Sequence, residues 1–247
     1  MDFRDIQFKI LHFDQLLSTN IHAQELIQKG ELDENTVIWA DHQSAGKGQR
    51  GRVWDSQSAE NLLFSVCLKP NISIKKAFTL NKLIAIALYD LLDNMAVEDL
   101  SIKWPNDLLV GADKIAGLLI ENSIQGQLIT QSIIGIGLNV NQTSFSHFER
   151  AATSLRLVLQ QELNRRELLV DFLNLLSERV QLLQAEDSLI DKIFHERLYG
   201  LDKAMLFQIG QDQVEGRILK VNEHGQLILS INGKEEVFSE RELRFID

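Results

Sequence analysis

A glycine-rich loop with three cations is the first feature of the sequence that could do chemistry. Gly46-Lys47-Gly48-Gln49-Arg50-Gly51 spells G-x-G-x-x-G, and Arg52 follows it directly. Glycines let backbone N–H groups approach an anion closely, and lysine and arginine neutralise phosphate. The pattern alone permits three interpretations: a dinucleotide loop, a basic patch for nucleic acid, or a site for a small anion.

The residues after the loop argue against the dinucleotide interpretation. Such a loop must lead directly into a helix whose N-terminus holds the pyrophosphate. Residues 52–58 have no apolar 3.6-residue period, and the next apolar run, 61–68, reads as a strand. Trp54 ends the loop, where its ring could either stack on a nucleobase or pack as a hydrophobic anchor.

Composition and charge argue against a nucleic-acid binder. The chain has 247 residues, 45% hydrophobic and 24% charged, and a formal net charge of −10. General nucleic-acid binding needs many Lys and Arg residues to neutralise phosphates, and an acidic chain lacks this excess. One basic loop in such a chain therefore indicates a binding site for a small anion. We find no signal-peptide pattern and no apolar run near the ~20 residues of a membrane span. The single cysteine, Cys67, permits no disulfide within the chain, and we expect a buried thiol in a cytoplasmic protein.

Polar residues also interrupt three apolar segments further along the chain. Lys103-Trp104-Pro105-Asn106-Asp107 is either a plain turn or part of a site. Lys114 begins an apolar strand that contains Gly117, and Gly135-x-Gly137-x-Asn139 interrupts another. Glycine inside a strand often marks the close approach of a ligand, although Lys114 could instead protect a sheet edge. Because an asparagine amide suits adenine, these segments predict a nucleotide pocket on a largely antiparallel sheet.

The sequence indicates neither a catalytic triad nor a metal centre. No Ser-His-Asp or Cys-His order suggests a protein nucleophile, and the six histidines lack metal-ligand spacing. We therefore expect no metal-ligating side chains. His42 is the histidine of most interest, because it lies beside the loop.

Apolar periodicity predicts the elements that must position these residues. We expect strands over 8–13, 37–40, 61–68, 101–104, 108–110, 114–121 and 128–140. Helices are expected from Ser18 to Gly30, over 75–95, and over 164–198 with Asn164 as its cap. After Gly200, short β segments at 205–209, 214–221, 226–231 and 235–238 predict a small β-barrel docked on the main domain.

Taken in order and spacing, five motifs resemble the biotin protein ligase family, also called biotin–[acetyl-CoA-carboxylase] ligases. They are Ser18-Thr19-Asn20, Gln43 with the loop from Ala45 to Trp54, Lys103-Trp104-Pro105-Asn106-Asp107, Lys114-x-x-Gly117 and Gly135-x-Gly137-x-Asn139. The resemblance runs from about Leu11 to the C-terminus. It implies an α+β fold whose mixed or antiparallel sheet and helices are like the catalytic core of class II aminoacyl-tRNA synthetases. This biotin- and ATP-binding domain would span 1–200, and a small SH3-like β-barrel would span 201–247.

The resemblance implies an ATP-dependent ligase that acts in two steps. The biotin carboxylate would attack the α-phosphate of Mg-ATP, which gives biotinyl-5′-AMP and pyrophosphate. A lysine of a biotin carboxyl carrier domain of a carboxylase would then attack the mixed anhydride and release AMP. ATP, Mg²⁺ and biotin are the implied small molecules. We expect no nucleic-acid or membrane partner, and a monomer or homodimer.

Roles of individual residues follow from the resemblance by position. Biotin recognition is implied for Ser18, Thr19, Asn20 and Gln43. The loop that orders over the ligand would contain Gly46, Lys47, Gly48, Gln49 and Arg50. Lys114, Asp107, Lys47 and Arg50 are the implied catalytic residues, with Asp107 orienting the incoming lysine. Adenine recognition is implied for Trp54 and Asn139 and a phosphate contact for Lys103, while Asn106, Gly117 and Gly137 complete the pocket.

Two positions depart from the pattern of the family. Lys47 and Gln49 stand where arginine is frequent, which removes bidentate contacts to phosphate that Arg50 and Arg52 could replace. Because the match begins by residue 11, we expect a form without an N-terminal winged-helix DNA-binding domain. Two alternatives stay open: a lipoate–protein ligase or octanoyltransferase of the same fold, and a non-catalytic nucleic-acid-binding module.

Overall fold

The computed structural model describes residues 7–145, 151–184 and 187–246, without the side chains of Arg50, Gln184 and Asp187. Its helices are α1 (Thr19–Lys29), α2 (Ala77–Asp93), α3 (Leu155–Leu159), α4 (Arg165–Gln181) and α5 (Asp187–Glu196). The strands of the first part are β1 (Lys9–Leu16), β2 (Thr36–Gln43), β3 (Leu62–Leu68), β4 (Ile72–Ser73), β5 (Leu100–Lys103), β6 (Asp107–Val110), β7 (Asp113–Gln125) and β8 (Leu128–Leu138). The last part contains β9 (Ala204–Ile209), β10 (Asp212–Val221), β11 (Leu227–Ile231), β12 (Lys234–Phe238) and β13 (Leu243–Ile246).

The first eight strands form one mixed sheet. Its order is β1-β2-β3-β8-β7-β6-β5, and the short β4 pairs with β8 beside this path. Strands β1 and β2 are parallel, whereas the other pairs in the sheet are antiparallel. The predicted α+β class with a mixed sheet is therefore confirmed. Strands β7 and β8, which carry the glycine motifs, lie near the middle of the sheet.

Helices cover both faces of this sheet. Helix α2 packs against α4 and α5 on one face of the sheet. Its apolar periodicity predicts a helix with one buried face, but residues 82–88 are buried without a break, because the helix lies between the sheet and these other helices. Helix α1 lies on the other face, where Ala23 packs with Ile38 and Cys67. Burial raises the pKa of the Cys67 thiol to about 12, which agrees with the expected inert, buried thiol.

The predicted helix over 164–198 is two helices in the structure. Asn164 caps α4 as predicted, because its side-chain oxygen accepts the N–H groups of Arg166 and Glu167. Helix α4 ends at Gln181 and α5 begins at Asp187, so apolar periodicity identified the helical type but not the interruption. Three short elements, α3, β4 and β13, were also not predicted from the sequence. They are two to five residues long and too short to show a clear apolar period.

The C-terminal strands form a second, antiparallel sheet with the order β12-β11-β10-β9-β13. This arrangement is consistent with an SH3-like module. Among the described residues, however, the strand path is open at β12 and β13, so the predicted barrel is not closed. Trp104 Nε1 donates a 2.8 Å hydrogen bond to the Gly225 carbonyl oxygen and thereby ties this sheet to the first one.

A half-buried histidine provides a second link between the two sheets. His195, at the end of α5, accepts the Val221 N–H at Nε2 over 2.8 Å. Burial, with the nearby Lys82 ammonium, lowers the pKa of His195, although hydrogen bonding to the Asp191 backbone partly opposes the shift. The neutral imidazole is therefore the form that supports this contact.

Candidate functional site

Three glycines in the central strands form a floor without side chains. Gly117 of β7 lies directly opposite Gly137 of β8, and Gly135 lies two residues along β8. A Cβ atom at Gly137 would overlap the Trp54 indole, and one at Gly135 would overlap the Asn20 amide oxygen. The glycines are therefore required because two side chains lie directly against the sheet.

The glycine-rich loop folds over this floor as a short hairpin. The Trp54 N–H donates to the Gly46 carbonyl over 3.0 Å, and the Gly48 N–H donates to the Arg52 carbonyl over 2.8 Å. A Cβ at Gly46 would lie 2.6 Å from the Trp54 carbonyl oxygen. In this conformation, Gly46 and Gly48 permit the two arms to approach each other, and the Gly48 N–H is not available to an anion.

The N-terminus of α1 supplies the polar end of the site. Ser18, Thr19 and Asn20 are 2%, 3% and 3% exposed, respectively. Their hydroxyl and amide groups are of the kind that usually lies at the surface in contact with water. Gln43 Oε1 accepts the Thr19 N–H over 2.7 Å and lies 3.2 Å from the Thr19 hydroxyl. Ser18 occupies the N-cap position of α1 but its side chain makes no capping hydrogen bond, in contrast to the expected cap. Thr19 and Gln43 thus hydrogen-bond to each other within this polar end.

A lysine and a carboxylate supply the charged end. Lys114 Nζ lies 2.7 Å from Asp107 Oδ1, and the two side chains are 29% and 23% exposed. The same ammonium lies 5.3 Å from the centroid of the Trp54 ring. Asn106 lies in the turn between β5 and β6. It holds this turn against β7, since its Nδ2 donates to the Leu118 carbonyl over 2.5 Å. The Trp104–Pro105 peptide bond in this turn is cis.

One cavity joins the polar and charged ends, and most of the predicted site residues line it: Ser18, Thr19, Asn20, Gln43, Lys47, Gly48, Gln49, Trp54, Asn106, Lys114, Gly117 and Gly137. Its volume is about 50 Å³. Sites for small-molecule ligands commonly measure about 300–1,000 Å³. A ligand of this class therefore requires the hairpin or Trp54 to move away from the floor.

Several predicted residues lie outside the lining of this cavity. Lys103 Nζ lies 4.5 Å from the centroid of the Phe245 ring in β13. Asn139 is 4% exposed, and its Nδ2 donates to the Thr153 carbonyl over 2.9 Å, which ties the chain near α3 to β8. Gly46 and Asp107 lie behind lining residues, and the Arg50 side chain lies outside the described part of the structure. The assigned phosphate role of Lys103 and adenine role of Asn139 stay predictions.

Two polar residues that contact the polar end, Ser65 and Glu121, were not predicted as site residues from the sequence. The Ser65 hydroxyl lies 2.6 Å from Asn20 Oδ1 and 2.7 Å from Thr19 Oγ1, and Glu121 Oε2 accepts Asn20 Nδ2 over 2.7 Å. Ser65 is the one polar residue in the apolar run 62–68, and Glu121 ends another apolar run. A polar residue in an otherwise buried strand was the signal that could have identified Ser65, whereas Glu121 lies where β7 changes from buried to exposed residues.

Two properties of the described ranges concern a membrane and a metal ion. No helix within them is long and apolar enough to cross a membrane. Within the same ranges, no three His, Cys, Asp or Glu side chains are grouped so that they could hold a metal ion.

Comparison with known proteins identifies the family. A sequence model of the Biotin/lipoate A/B protein ligase family matches residues 13–139, which is just over half of the chain. The "Bifunctional ligase/repressor BirA" of Bacillus subtilis is 29% identical over 235 residues, which cover 93% of this chain and 72% of that protein. The "Biotin--[acetyl-CoA-carboxylase] ligase" of Paracoccus denitrificans is 37% identical over 125 residues, which cover 50% of this chain and 51% of that protein.

A solved structure supports the fold over nearly the whole chain. The biotin protein ligase from Aquifex aeolicus in complex with biotin and ATP superposes with a TM-score of 0.79 and 24% identity. The alignment covers 96% of this chain and 99% of that one. The match of the family sequence model carries the assignment: the chain belongs to the biotin/lipoate A/B protein ligase family.

Proposed function

We propose that this protein is an ATP-dependent biotin ligase. It activates biotin to biotinyl-5′-AMP and transfers the biotin to a lysine of a biotin carboxyl carrier domain. The observation that carries the proposal is a cavity with buried hydrogen-bonding groups at one end and the Lys114 ammonium at the other. Relatives named as biotin ligases support the choice of substrate.

In the first step, the biotin carboxylate attacks the α-phosphate and pyrophosphate leaves. Two negative groups must approach each other, and cations at the site offset their repulsion. Lys114 and Lys47, which both line the cavity, are the proposed cations, with Arg50 as a third. A charge about 4 Å from a phosphate contributes about 4 kcal/mol at an effective dielectric constant of 20.

The Lys114–Asp107 ion pair offers a link between the two steps. In the structure, Asp107 neutralises Lys114. When a phosphate binds, Lys114 exchanges this partner for the phosphate, and Asp107 becomes free to bind the acceptor lysine. The acceptor amine, with a pKa near ~10.4, must lose a proton before it attacks. Asp107 orients this amine, a C–N bond forms at the biotin carbonyl carbon, and the bond to the AMP oxygen breaks.

The Mg²⁺ in this proposal comes with the nucleotide. Mg²⁺ in phosphoryl transfer is commonly held by substrate phosphates and one or two carboxylates. We assign no residue of the chain to it.

The proposal extends to the organisation and partners of the protein. Residues 1–200 would form the biotin- and ATP-binding domain and 201–247 the C-terminal module. The partner is the carrier domain of a carboxylase, and the location is cytoplasmic. The buried hydrogen-bonding end of the cavity favours biotin over lipoate, because a dithiolane ring has no N–H or C=O groups to pair with it.

Pyrophosphate exchange tests the proposal. The protein is incubated with Mg-ATP, labelled pyrophosphate and either biotin or lipoate. We expect label to enter ATP with biotin and not with lipoate. Exchange with lipoate but not biotin would assign the protein to the other branch of the family, and exchange with neither would refute an adenylating activity.

A further inference from the structure

A chain of hydrogen bonds lies behind the polar end of the cavity. It runs from Gln43 through Thr19, Ser65 and Asn20 to Glu121. Gln43 Oε1 lies 3.2 Å from the Thr19 hydroxyl and also accepts the Thr19 backbone N–H over 2.7 Å, and the other contacts along the chain measure 2.6 to 2.7 Å. Thr19, Asn20 and Gln43 line the cavity, whereas Ser65 and Glu121 stand behind them. Ser65 is fully buried, so its hydroxyl must satisfy its hydrogen bonds within this chain.

The number of hydrogens fixes the direction of these bonds. Asn20 Oδ1 can only accept, and it lies 2.6 Å from Ser65 Oγ, so the single hydroxyl hydrogen of Ser65 points to it. The Thr19 hydroxyl has one hydrogen and two possible acceptors, Ser65 Oγ at 2.7 Å and Gln43 Oε1 at 3.2 Å, and the shorter contact takes it. Thr19 therefore donates to Ser65, and the lone pairs of Thr19 Oγ1 stay available as acceptors for a ligand.

Glu121 determines this direction through the Asn20 amide. An ionised carboxylate can only accept hydrogen bonds, so it requires Nδ2 rather than Oδ1 of Asn20 to face it. The Leu119 carbonyl, 3.4 Å from the same Nδ2, acts in the same sense over a longer distance. Gly135 lies directly beneath the amide, so the amide keeps its place in the site and can only exchange its oxygen and nitrogen by a half-turn about the Cβ–Cγ bond.

Without Glu121, the amide can turn over and reverse every bond in the chain. Asn20 Nδ2 would donate to Ser65, and Ser65 would donate to Thr19. The Thr19 hydroxyl would then turn its hydrogen toward the cavity, where Gln43 Oε1 at 3.2 Å competes with the ligand for it. A cyclic urea carries N–H donors, which need an acceptor on the protein, and a hydroxyl that already points its hydrogen at the ligand meets them less well.

We propose that Glu121 and Ser65 are positioning residues that make the cavity specific for a ligand head group with N–H donors, such as a cyclic urea. This inference rests on the proposed function and adds to it the means by which the protein distinguishes biotin from apolar acids. Neither residue touches the reacting carboxylate. Their effect is on recognition of the head group and not on the chemistry of adenylation.

The test compares Glu121→Ala, Glu121→Gln and Ser65→Ala in biotin-dependent pyrophosphate exchange. A control, Glu98→Ala, removes an exposed carboxylate elsewhere. We expect Glu121→Ala to raise the KM for biotin by about tenfold, the order of one well-formed hydrogen bond, and to leave kcat and the KM for ATP within about twofold. Glu121→Gln retains an acceptor oxygen, so its KM for biotin should fall between those of wild type and Glu121→Ala. Ser65→Ala should behave like Glu121→Ala.

A biotin analogue methylated at a ureido nitrogen gives a readout that a purely structural role would not change. It should bind about tenfold more weakly to the wild type, and this difference should shrink in Glu121→Ala, because the acceptor is already lost. An unchanged KM for biotin in Glu121→Ala, or a parallel rise in the KM for ATP, would overturn the inference while wild-type exchange upholds the proposed function. Absence of biotin-dependent exchange in the wild type would overturn both.

Discussion

Replacing Lys114 by alanine would remove the ammonium group that faces the cavity from the start of β7. A unit charge about 4 Å from a phosphate is worth about 4 kcal/mol at an effective dielectric constant of 20, which corresponds to about a thousandfold in rate if it acts in the transition state. We therefore expect Lys114→Ala to lower biotin-dependent pyrophosphate exchange by about a thousandfold. Lys114→Arg retains the charge and should lose less.

The same substitution should have little effect on stability. Lys114 and Asp107 are 29% and 23% exposed, so their ion pair is partly solvated and contributes no more than about 1 kcal/mol to the free energy of unfolding. Urea denaturation of Lys114→Ala would measure this term separately from activity. Lys192→Ala serves as the control, because it removes a lysine from an exposed ion pair with Glu196.

Exchange activity in Lys114→Ala within about threefold of wild type would refute the electrostatic role of this lysine. A loss of activity accompanied by a fall of several kcal/mol in the free energy of unfolding would instead indicate a structural role. The Lys192→Ala control should leave both the exchange rate and the unfolding free energy close to those of wild type.

Three further predictions concern the floor, the transfer step and the link between the sheets. Gly137→Ala places a Cβ in the Trp54 indole and should lower the unfolding free energy by about 1–3 kcal/mol, whereas Gly216→Ala in β10, whose nearest atoms are side-chain atoms at 3.3 Å or more, should cost less in urea denaturation. Asp107→Asn should reduce single-turnover transfer to the carrier by about a hundredfold and pyrophosphate exchange much less; equal losses would remove Asp107 from the transfer step. Because the pKa of His195 is lower in the folded protein than in the unfolded chain, the unfolded chain binds the proton at higher pH, and the free energy of unfolding should decline as pH falls below about 6.5. His195→Gln should flatten this decline in urea denaturation, and an unchanged pH profile would contradict the assignment.

Much of the fold could be predicted from local pattern. The continuous apolar run of β3 and the 3.6-residue apolar period of α2 indicated the type of each element, and Asn164 caps α4 through atoms within three residues of it. The interruption between α4 and α5 was not predictable in this way, because apolar residues continue across it. The four residues of β13 form a strand through pairing with β9, a tertiary contact that the sequence does not display.

The site was predictable in residue type but not in arrangement. Glycines within strands correctly indicated close approach, yet the groups that approach Gly137 and Gly135 are the Trp54 indole and the Asn20 amide of the protein itself. Asn139 has the amide that adenine would suit, but its Nδ2 is bonded to the Thr153 backbone carbonyl. Three-dimensional contacts determine which polar groups pair within the protein and which face a ligand. The spacing of residues in the sequence does not predict these contacts.

Transfer to a carrier protein tests the central claim most directly. The purified protein, Mg-ATP and a biotin carboxyl carrier domain are incubated with biotin or with lipoate, and intact-mass spectrometry with peptide mapping identifies any modified lysine. The account predicts one amide-linked biotin on a single lysine, dependent on ATP, and no modification by lipoate. Modification by lipoate but not by biotin, or no ATP-dependent modification by either acid, would contradict it.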